Sequence, residues 1–578
     1  MEPMNSTVVP RHYPLDAPFK AAAGRLTHGL SPTALTLSLL DWWLHLASSP
    51  GKQAELAQSA GRKWLRWATL AAGGRGRADA VQGDRRFAPK PWAQPPFDAL
   101  ADAFLLAGQW WSEAVDGVPG VSRHHEQVAA FVIRQWLDMA SPSNLPWANP
   151  EVLEATWRTG GLNLWDGAAN WWRDAMLVAS NSPPPGAEGF TPGEHVAITP
   201  GRVVFRNALI EVIQYAPSTH DVHPEPILIV PSWIMKYYIL DLSPHNSLVR
   251  YLVSQGHTVF MVSWRNPGPE DRNLGMDDYL RLGALAAVEA VQQAQPGRGI
   301  HLAGYCLGGT LAAIAAASMA SRPGVHLKTL TLLAAQTDFD DPGELGTFID
   351  EGQVAFLEDI MDDQGVLDGR QMAGAFALIN SKDLVWSKLV RAYLLGGSTP
   401  LNDLHAWNAD ATRMPARMHS EYLRRLYLGN DLAEGRYRVD GHRVMLRALR
   451  LPIFALATER DHVSPWRSVY KIHFLTHAEV TFALTSGGHN AGIVNPPRAP
   501  APPSIRYRCM TRSADAAHID ADWWLHEAPV TAGSWWPAWQ AWLAAHSGPP
   551  GKPLPIGGSG SSRLRPLEDA PGTYVHAS

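Results

Sequence analysis

The chain changes its hydrophobic rhythm near residue 180. Before that point apolar residues recur three and four positions apart, as on one face of a helix. Residues 31–46, SPTALTLSLLDWWLHL, open on a capping serine and a first-turn proline. Further helical patterns run over 97–115, 125–139 and 160–178. Together they predict a mostly helical domain over 21–180, preceded by a disordered tail at 1–20. The stretch SNSPPPGAEG then interrupts any regular element and reads as a linker.

Beyond the linker, short β-like runs take over. RVVFRNALIEVIQY (202–215) predicts a hairpin, followed by strands at 227–231, 258–264, 300–305, 329–335, 453–458 and 480–485. Helical patterns fall between several of them, at 247–254, 276–294, 307–319 and 466–474. That alternation predicts an α/β domain over 190–548, built on a mainly parallel sheet with helices on both faces. The spacing is interrupted at about 336–450, where the pattern is helical, and this insertion is expected to cap the sheet's catalytic edge. Residues 549–578, rich in Gly, Pro and Ser, read as an extended tail.

Composition narrows the functional classes. With 578 residues, 46% of them hydrophobic, the chain can bury a large core. A net charge of −5 without a long basic run argues against a nucleic-acid partner. The two cysteines, Cys306 and Cys509, are too few for a disulfide framework and lack zinc-site spacing, so a reducing cytoplasm and no metal are expected. The N-terminus lacks a secretory pattern. Residues 300–321 carry no Asp, Glu, Lys or Arg and are long enough to cross a bilayer, yet their glycines favour a buried strand, turn and helix, so no transmembrane segment is expected. Many of the 24 tryptophans come in pairs. Most are expected in the core, with some available as an apolar surface for a hydrophobic product or partner.

Chemistry concentrates in GYCLGGTL (304–311), which has the glycine spacing of a hydrolase's nucleophile elbow with cysteine in place of serine. It follows a predicted strand and opens a predicted helix, whose N-terminus favours negative charge on sulfur. A lone cysteine is often just a small buried residue. Chain order favours catalysis: Asp461 follows the next-to-last predicted strand and His489 the last, giving nucleophile, acid and histidine in the order this fold uses. His462 and Glu459 are the nearest rivals, and Asp461 would also serve as a cap for the helix near Pro465. The oxyanion hole is expected from the N–H of Leu307 and that of Trp233 or Ile234 in PSWIMK. Trp407 either lines an acyl pocket or packs the cap. Cysteine attack on a thioester exchanges one thioester for another, so the acyl group stays activated for a further acceptor. Sulfur therefore points to acyl transfer more than to hydrolysis.

GYCLGGTL, DHVSPWRSVY, SGGHNAGIVNPP, HTVFMVSWRNP, FRNALIEVIQY and GSWWPAW together resemble the poly(3-hydroxyalkanoate) synthases, bacterial polyester polymerases of the α/β-hydrolase superfamily. The resemblance covers nearly the whole chain, including HLASSPGKQ and DRRF in the helical part. It implies that Cys306 holds the acyl group, that His489 is the base and that Asp461 orients it. It places Asp241, in YYILDLSP, in a further family motif, as a substrate-pocket or structural residue. It implies (R)-3-hydroxyacyl-CoA as substrate, with CoA a leaving group and no separate cofactor. It also implies a homodimer, cap opening for substrate entry and attachment to cytoplasmic polyester granules. A cysteine thioesterase or a depolymerase of the same polyester is the competing expectation. The acid loop carries Ser464 where many relatives are more apolar, so subclass and acyl-length preference are not fixed by sequence.

Overall fold

The computed structural model describes residues 16–577 except 28, 73–83, 181, 183, 321–323, 325, 380, 399 and 561–562. They form two compact units. One comprises the chain up to Gly29, Gly186–Met372 and the stretch from Asn402 onward; the other comprises Leu30–Pro185 and Ala373–Leu401. The expected cap interval is thus divided, because its middle portion packs with the helical unit.

The first unit is organised by one eleven-stranded sheet. In chain order the strands are β1 (Gly201–Arg206), β2 (Ile210–Tyr215), β3 (Ile227–Val230), β4 (Val259–Trp264), β5 (Ile300–Tyr305) and β6 (Leu327–Leu333), then β7 (Ile453–Thr458), β8 (Val480–Thr485), β9 (Arg506–Arg512), β10 (Val530–Ala532) and β11 (Glu568–Asp569). Their spatial order is β10-β9-β8-β7-β6-β5-β3-β4-β2-β1-β11. The six central strands, β8 to β4 in that order, are mutually parallel, and both flanks are antiparallel. Every residue of β3, β4, β5, β7 and β8 is buried, which is why their sequences read as continuous apolar runs without alternation. The helix Leu307–Met319 is buried almost all round, and its alanines let it lie close against the sheet.

Two expected tails prove to be packed structure. Residues 1–15 lie outside the described residues, but Asp16–Leu26 is a helix. It packs on the helix Glu351–Gln364, with Lys20 Nζ 2.6 Å from Asp359 and Gly24 against Ile360, whose side chain leaves no room for a Cβ. At the other end β11 pairs with β1, and Val575 is buried. The fully buried Glu211 on β2 explains the attachment: its carboxylate accepts the N–H groups of Thr573 (3.3 Å) and Tyr574 (3.0 Å) and the Arg206 guanidinium (2.7 Å). A single buried carboxylate thus organises a segment that has too few apolar residues to advertise itself.

The second unit contains helices Pro32–Ala47, Pro50–Ala71, Phe97–Val115, Arg123–Met139, Pro150–Thr159 and Leu162–Ser180. Ser31 caps the first as expected, accepting Ala34 N–H at 3.3 Å. The last is inside out: its buried stripe is Asn163 and Gly167, flanked by the half-buried Asn170. Asn163 and Asn170 donate to the carbonyls of Leu394 (2.8 Å) and Ala392 (3.1 Å), and a Cβ on Gly167 would lie 1.9 Å from the Tyr393 oxygen. Trp165 and Trp172, on the opposite face, are exposed, as are Trp171 and Val178 beside the stripe. No described helix is long and apolar enough to cross a membrane.

The first unit buries several histidines in neutral form. Burial holds the His257 and His419 imidazoles down to about 4 and His301 to about 3. Their folded values lie below the unfolded one, so the unfolded chain binds more protons as pH falls below about 6.5, and stability declines from there to about pH 4 by up to about 1.4 kcal/mol per unit and group. His257 stacks on His223 at 4.8 Å and neither of its ring nitrogens has a hydrogen-bond partner. His257→Phe is therefore expected to reduce the loss of thermal midpoint between pH 7 and 4, measured by circular dichroism; an unaltered slope would exclude this group as a source of acid sensitivity.

Candidate active site

Cys306 stands between the end of β5 and the helix Leu307–Met319, with φ +53° and ψ −127°. That backbone is strained for any L-residue and survives only under tight packing. The glycines supply it. A Cβ on Gly308 would lie 2.1 Å from the Val230 carbonyl oxygen, one on Gly304 2.4 Å from Gly309 Cα, and one on Gly309 2.4 Å from Ala335 Cβ. The Cys306 N–H donates to Leu333 O at 2.9 Å and its carbonyl accepts Gly309 N–H at 2.9 Å, locking the turn from both sides. The side chain remains partly exposed. Cys509, on β9, is no rival: burial pushes its thiol up to about 11.

The acid and base arrive from the ends of neighbouring strands. Asp461 follows β7, and its side chain is fully buried. One carboxylate oxygen accepts the N–H groups of Val463 (2.9 Å) and Ser464 (2.8 Å); the other accepts Thr458 Oγ1 at 3.2 Å and meets His489 Nδ1 at 2.8 Å. Burial opposes the charged form, but the His489 ring and those N–H groups outweigh it and hold the carboxyl below its ordinary value. At His489 burial again opposes charge, yet the Asp461 carboxylate and the Cys306 sulfur raise it well above 6.5. The structure thus pairs Asp461 with His489 directly and brings Cys306 within electrostatic reach of His489. The rivals lie elsewhere: His462 is half exposed, 3.9 Å from Glu344, and Glu459 faces Arg506 at 3.4 Å.

The histidine loop is clamped by aromatic residues. Trp535 and Trp536, both buried, donate their indole N–H groups to the carbonyls of Gly492 (3.0 Å) and Ile493 (2.9 Å). The Tyr305 hydroxyl donates to Asn490 at 2.6 Å, and its ring lies 5.7 Å from that of His489. GSWWPAW therefore acts on the site through backbone carbonyls.

The loop after β3 is fixed just as tightly. Ile234 N–H is directed at Ser232 Oγ (3.3 Å). Thr412 donates its hydroxyl to Trp233 O (2.7 Å) and its N–H to Ile234 O (3.3 Å). Trp407, almost fully buried, donates to Lys236 O at 2.8 Å; Lys236 Nζ itself donates to the carbonyls of Val575 and Ala577 at 2.6 Å each. Trp407 is accordingly a brace for this loop. Asp241 is a brace too, buried and accepting Thr199 Oγ1 (2.5 Å) and Ser247 Oγ (2.6 Å).

Two further residues at the site have no clear sequence signal. Tyr422 and Tyr427 share a hydrogen bond at 3.1 Å, and burial, with nearby Cys306 adding to it, raises their hydroxyls above the usual range. Five positions apart, they would point about 140° from each other on an α-helix. A π-helical turn over Leu423–Leu428, marked by Gly429 N–H to Arg424 O at 2.9 Å, brings them side by side.

Removing the carboxylate partner should lower the proton affinity of His489. Asp461→Asn is expected to move the acidic limb of kcat/KM to lower pH and to cut kcat by roughly 10²- to 10⁴-fold. A stopped assay of acyl-thioester turnover across pH checks this; an acidic limb that stays in place would separate Asp461 from the base.

Comparison with known proteins points to one family. Residues 83–252 match a family model described as poly-beta-hydroxybutyrate polymerase (PhaC) N-terminus, and residues 10–52 match one described as poly-beta-hydroxybutyrate polymerase N terminal. Residues 225–496 match the alpha/beta hydrolase fold. The poly(3-hydroxyalkanoate) polymerase of Methylorubrum extorquens is 40% identical over 85% of this chain and 80% of its own length. The poly(3-hydroxyalkanoate) polymerase subunit PhaC of Cupriavidus necator is 36% identical over 88% of this chain and 86% of its own. With the elbow cysteine, its histidine and acid, and similarity along most of both chains, the protein belongs to the poly(3-hydroxyalkanoate) polymerase family of acyltransferases with an α/β-hydrolase fold.

Proposed function

We propose that this chain polymerises (R)-3-hydroxyacyl-CoA thioesters into polyester, releasing CoA, through an acyl thioester on Cys306. The observation that carries the reading is a cysteine at a strained elbow that acts electrostatically on a histidine whose Nδ1 is held by a buried carboxylate. Cys306 sulfur attacks the substrate carbonyl, the C–S bond to CoA breaks, and His489 returns a proton to the departing CoA sulfur. The hydroxyl of a growing chain end then loses its proton to His489 and attacks the thioester on Cys306. A new ester C–O bond forms as the cysteine sulfur leaves. Leu307 N–H, at the first turn after Cys306, and Trp233 N–H hold the oxyanion in this scheme; Ile234 is the weaker choice because its N–H is directed at Ser232. No metal or separate cofactor enters, since CoA arrives with the substrate.

The proposal extends to where the protein works: as a homodimer at the surface of cytoplasmic polyester granules. The inside-out helix supports adhesion to an apolar polymer, for it exposes Trp165 (75%), Trp172 (63%) and Val178 (83%) while burying asparagine and glycine. Trp157, on the preceding helix, is 92% exposed. Soluble monomers rarely leave so much aromatic surface uncovered without a partner.

Two measurements test these readings. Purified protein given (R)-3-hydroxybutyryl-CoA is expected to release CoA and yield insoluble polyester, with Cys306→Ala lowering the rate by at least roughly 10³-fold. CoA release with free hydroxy acid as the product would make water the acceptor and favour the thioesterase alternative. Trp165→Gln combined with Trp172→Gln is expected to reduce co-sedimentation with polyester granules while CoA release in solution is retained. Unchanged co-sedimentation would remove this helix from the granule contact.

A further inference from the structure

A cavity of about 280 Å³ opens away from Cys306, between the helical turns Trp466–Tyr470 and Ile472–Leu475, the end of β9 and the loop that follows it. Ala478 on its wall lies just before β8, whose opposite end leads to His489. The cavity and the catalytic base are therefore at opposite ends of one six-residue strand, roughly 20 Å apart by strand rise.

The lining is strongly one-sided in charge. Two guanidinium groups, Arg447 and Arg512, and three imidazoles, His473, His477 and His518, line it without any carboxylate. Asp515 is exposed and outside the lining, and the Asp520 carboxylate accepts Trp523 N–H at 2.7 Å. Arg512 is fixed at the wall by its bond to the Ala517 carbonyl. Deeper in, His473 Nε2 is buried without a hydrogen-bond partner, an arrangement folded proteins rarely keep unless a ligand or water completes it. Burial, with Arg512 and His518 adding to it, lowers this imidazole to about 4, so at neutral pH the ring is uncharged. Its ring is 4.6 Å from Tyr470, and Phe474 stands edge-on to Tyr470 at 5.9 Å, giving the cavity an aromatic side.

We propose that this cavity binds a small phosphate-bearing anion, between pyrophosphate and a nucleoside monophosphate in size. Guanidinium forks match phosphate oxygens in pairs, and an unpartnered imidazole nitrogen completes such a set. The volume, at the lower limit of ordinary ligand pockets, about 300 Å³, suits a ligand much smaller than a whole CoA molecule.

Titration calorimetry on the full chain, at low ionic strength, with pyrophosphate and separately with AMP, tests the assignment. One site per chain is expected for at least one of the two, weakened about tenfold or more by Arg512→Gln and by Arg447→Gln. Arg447 is exposed, so its variant is expected to keep the wild-type melting profile even if Arg512→Gln does not. Affinity unchanged in both variants would place the phosphate elsewhere, including wherever the substrate's own phosphates dock, and would overturn the proposal. So would the absence of binding at millimolar ligand, or tighter binding of citrate than of either phosphate compound.

Discussion

The whole candidate site depends on how closely one helix approaches one strand. Cys306 keeps a positive φ because Gly304, Gly308 and Gly309 let the helix Leu307–Met319 touch the backbone of β3 and β5 at distances no side chain would permit. The strain has a geometric result: the sulfur is lifted off the sheet edge, toward the loops that follow β7 and β8. A methyl group at Gly308 would collide with a carbonyl oxygen rather than with a movable side chain, so the turn has no cheap way to relax.

The surrounding structure converts that one fixed point into a fixed constellation. Asp461 is held by two backbone N–H groups, His489 by Asp461, and the loop beyond His489 by the indoles of Trp535 and Trp536. The loop after β3 is stitched to Thr412 on one side and, through Lys236, to the carbonyls of Val575 and Ala577 on the other. Residues scattered over more than three hundred positions therefore set the geometry of a few atoms, and most of them act through backbone oxygen.

The sheet was legible because its central strands are buried on both faces and read as unbroken apolar runs. That Cys306, Asp461 and His489 lie at neighbouring strand ends was legible from the elbow's glycine spacing and from the positions of Asp461 and His489 just past predicted strands. What was not legible depended on single polar contacts. β9, RYRCMTR, is masked by arginines, three of them in seven residues. The segment beyond residue 549 looked like a tail because its attachment comes from the buried Glu211, far away in sequence. Tyr422 and Tyr427 were invisible because their alignment requires a π-helical turn, which leaves no periodicity in the residues themselves. Asp241 belonged to a recognisable motif, yet its bonds, like that of Trp407, are those of a brace.

The pairing of β11 with β1 has a consequence for how the molecule is made. β1, the first strand of the sheet in chain order, is covered along its outer edge by β11, far along the chain, and the reinforcing bond from Thr573 N–H to Glu211 spans 362 positions. Contacts of such long range form late, because their loop-closure entropy must be overcome before they contribute stability. Until then β1 presents unpaired N–H and C=O groups to any passing chain, the condition under which strands join edge to edge between molecules. The hazard of aggregation at this edge of the sheet thus lasts until Glu568–Asp569 closes over β1.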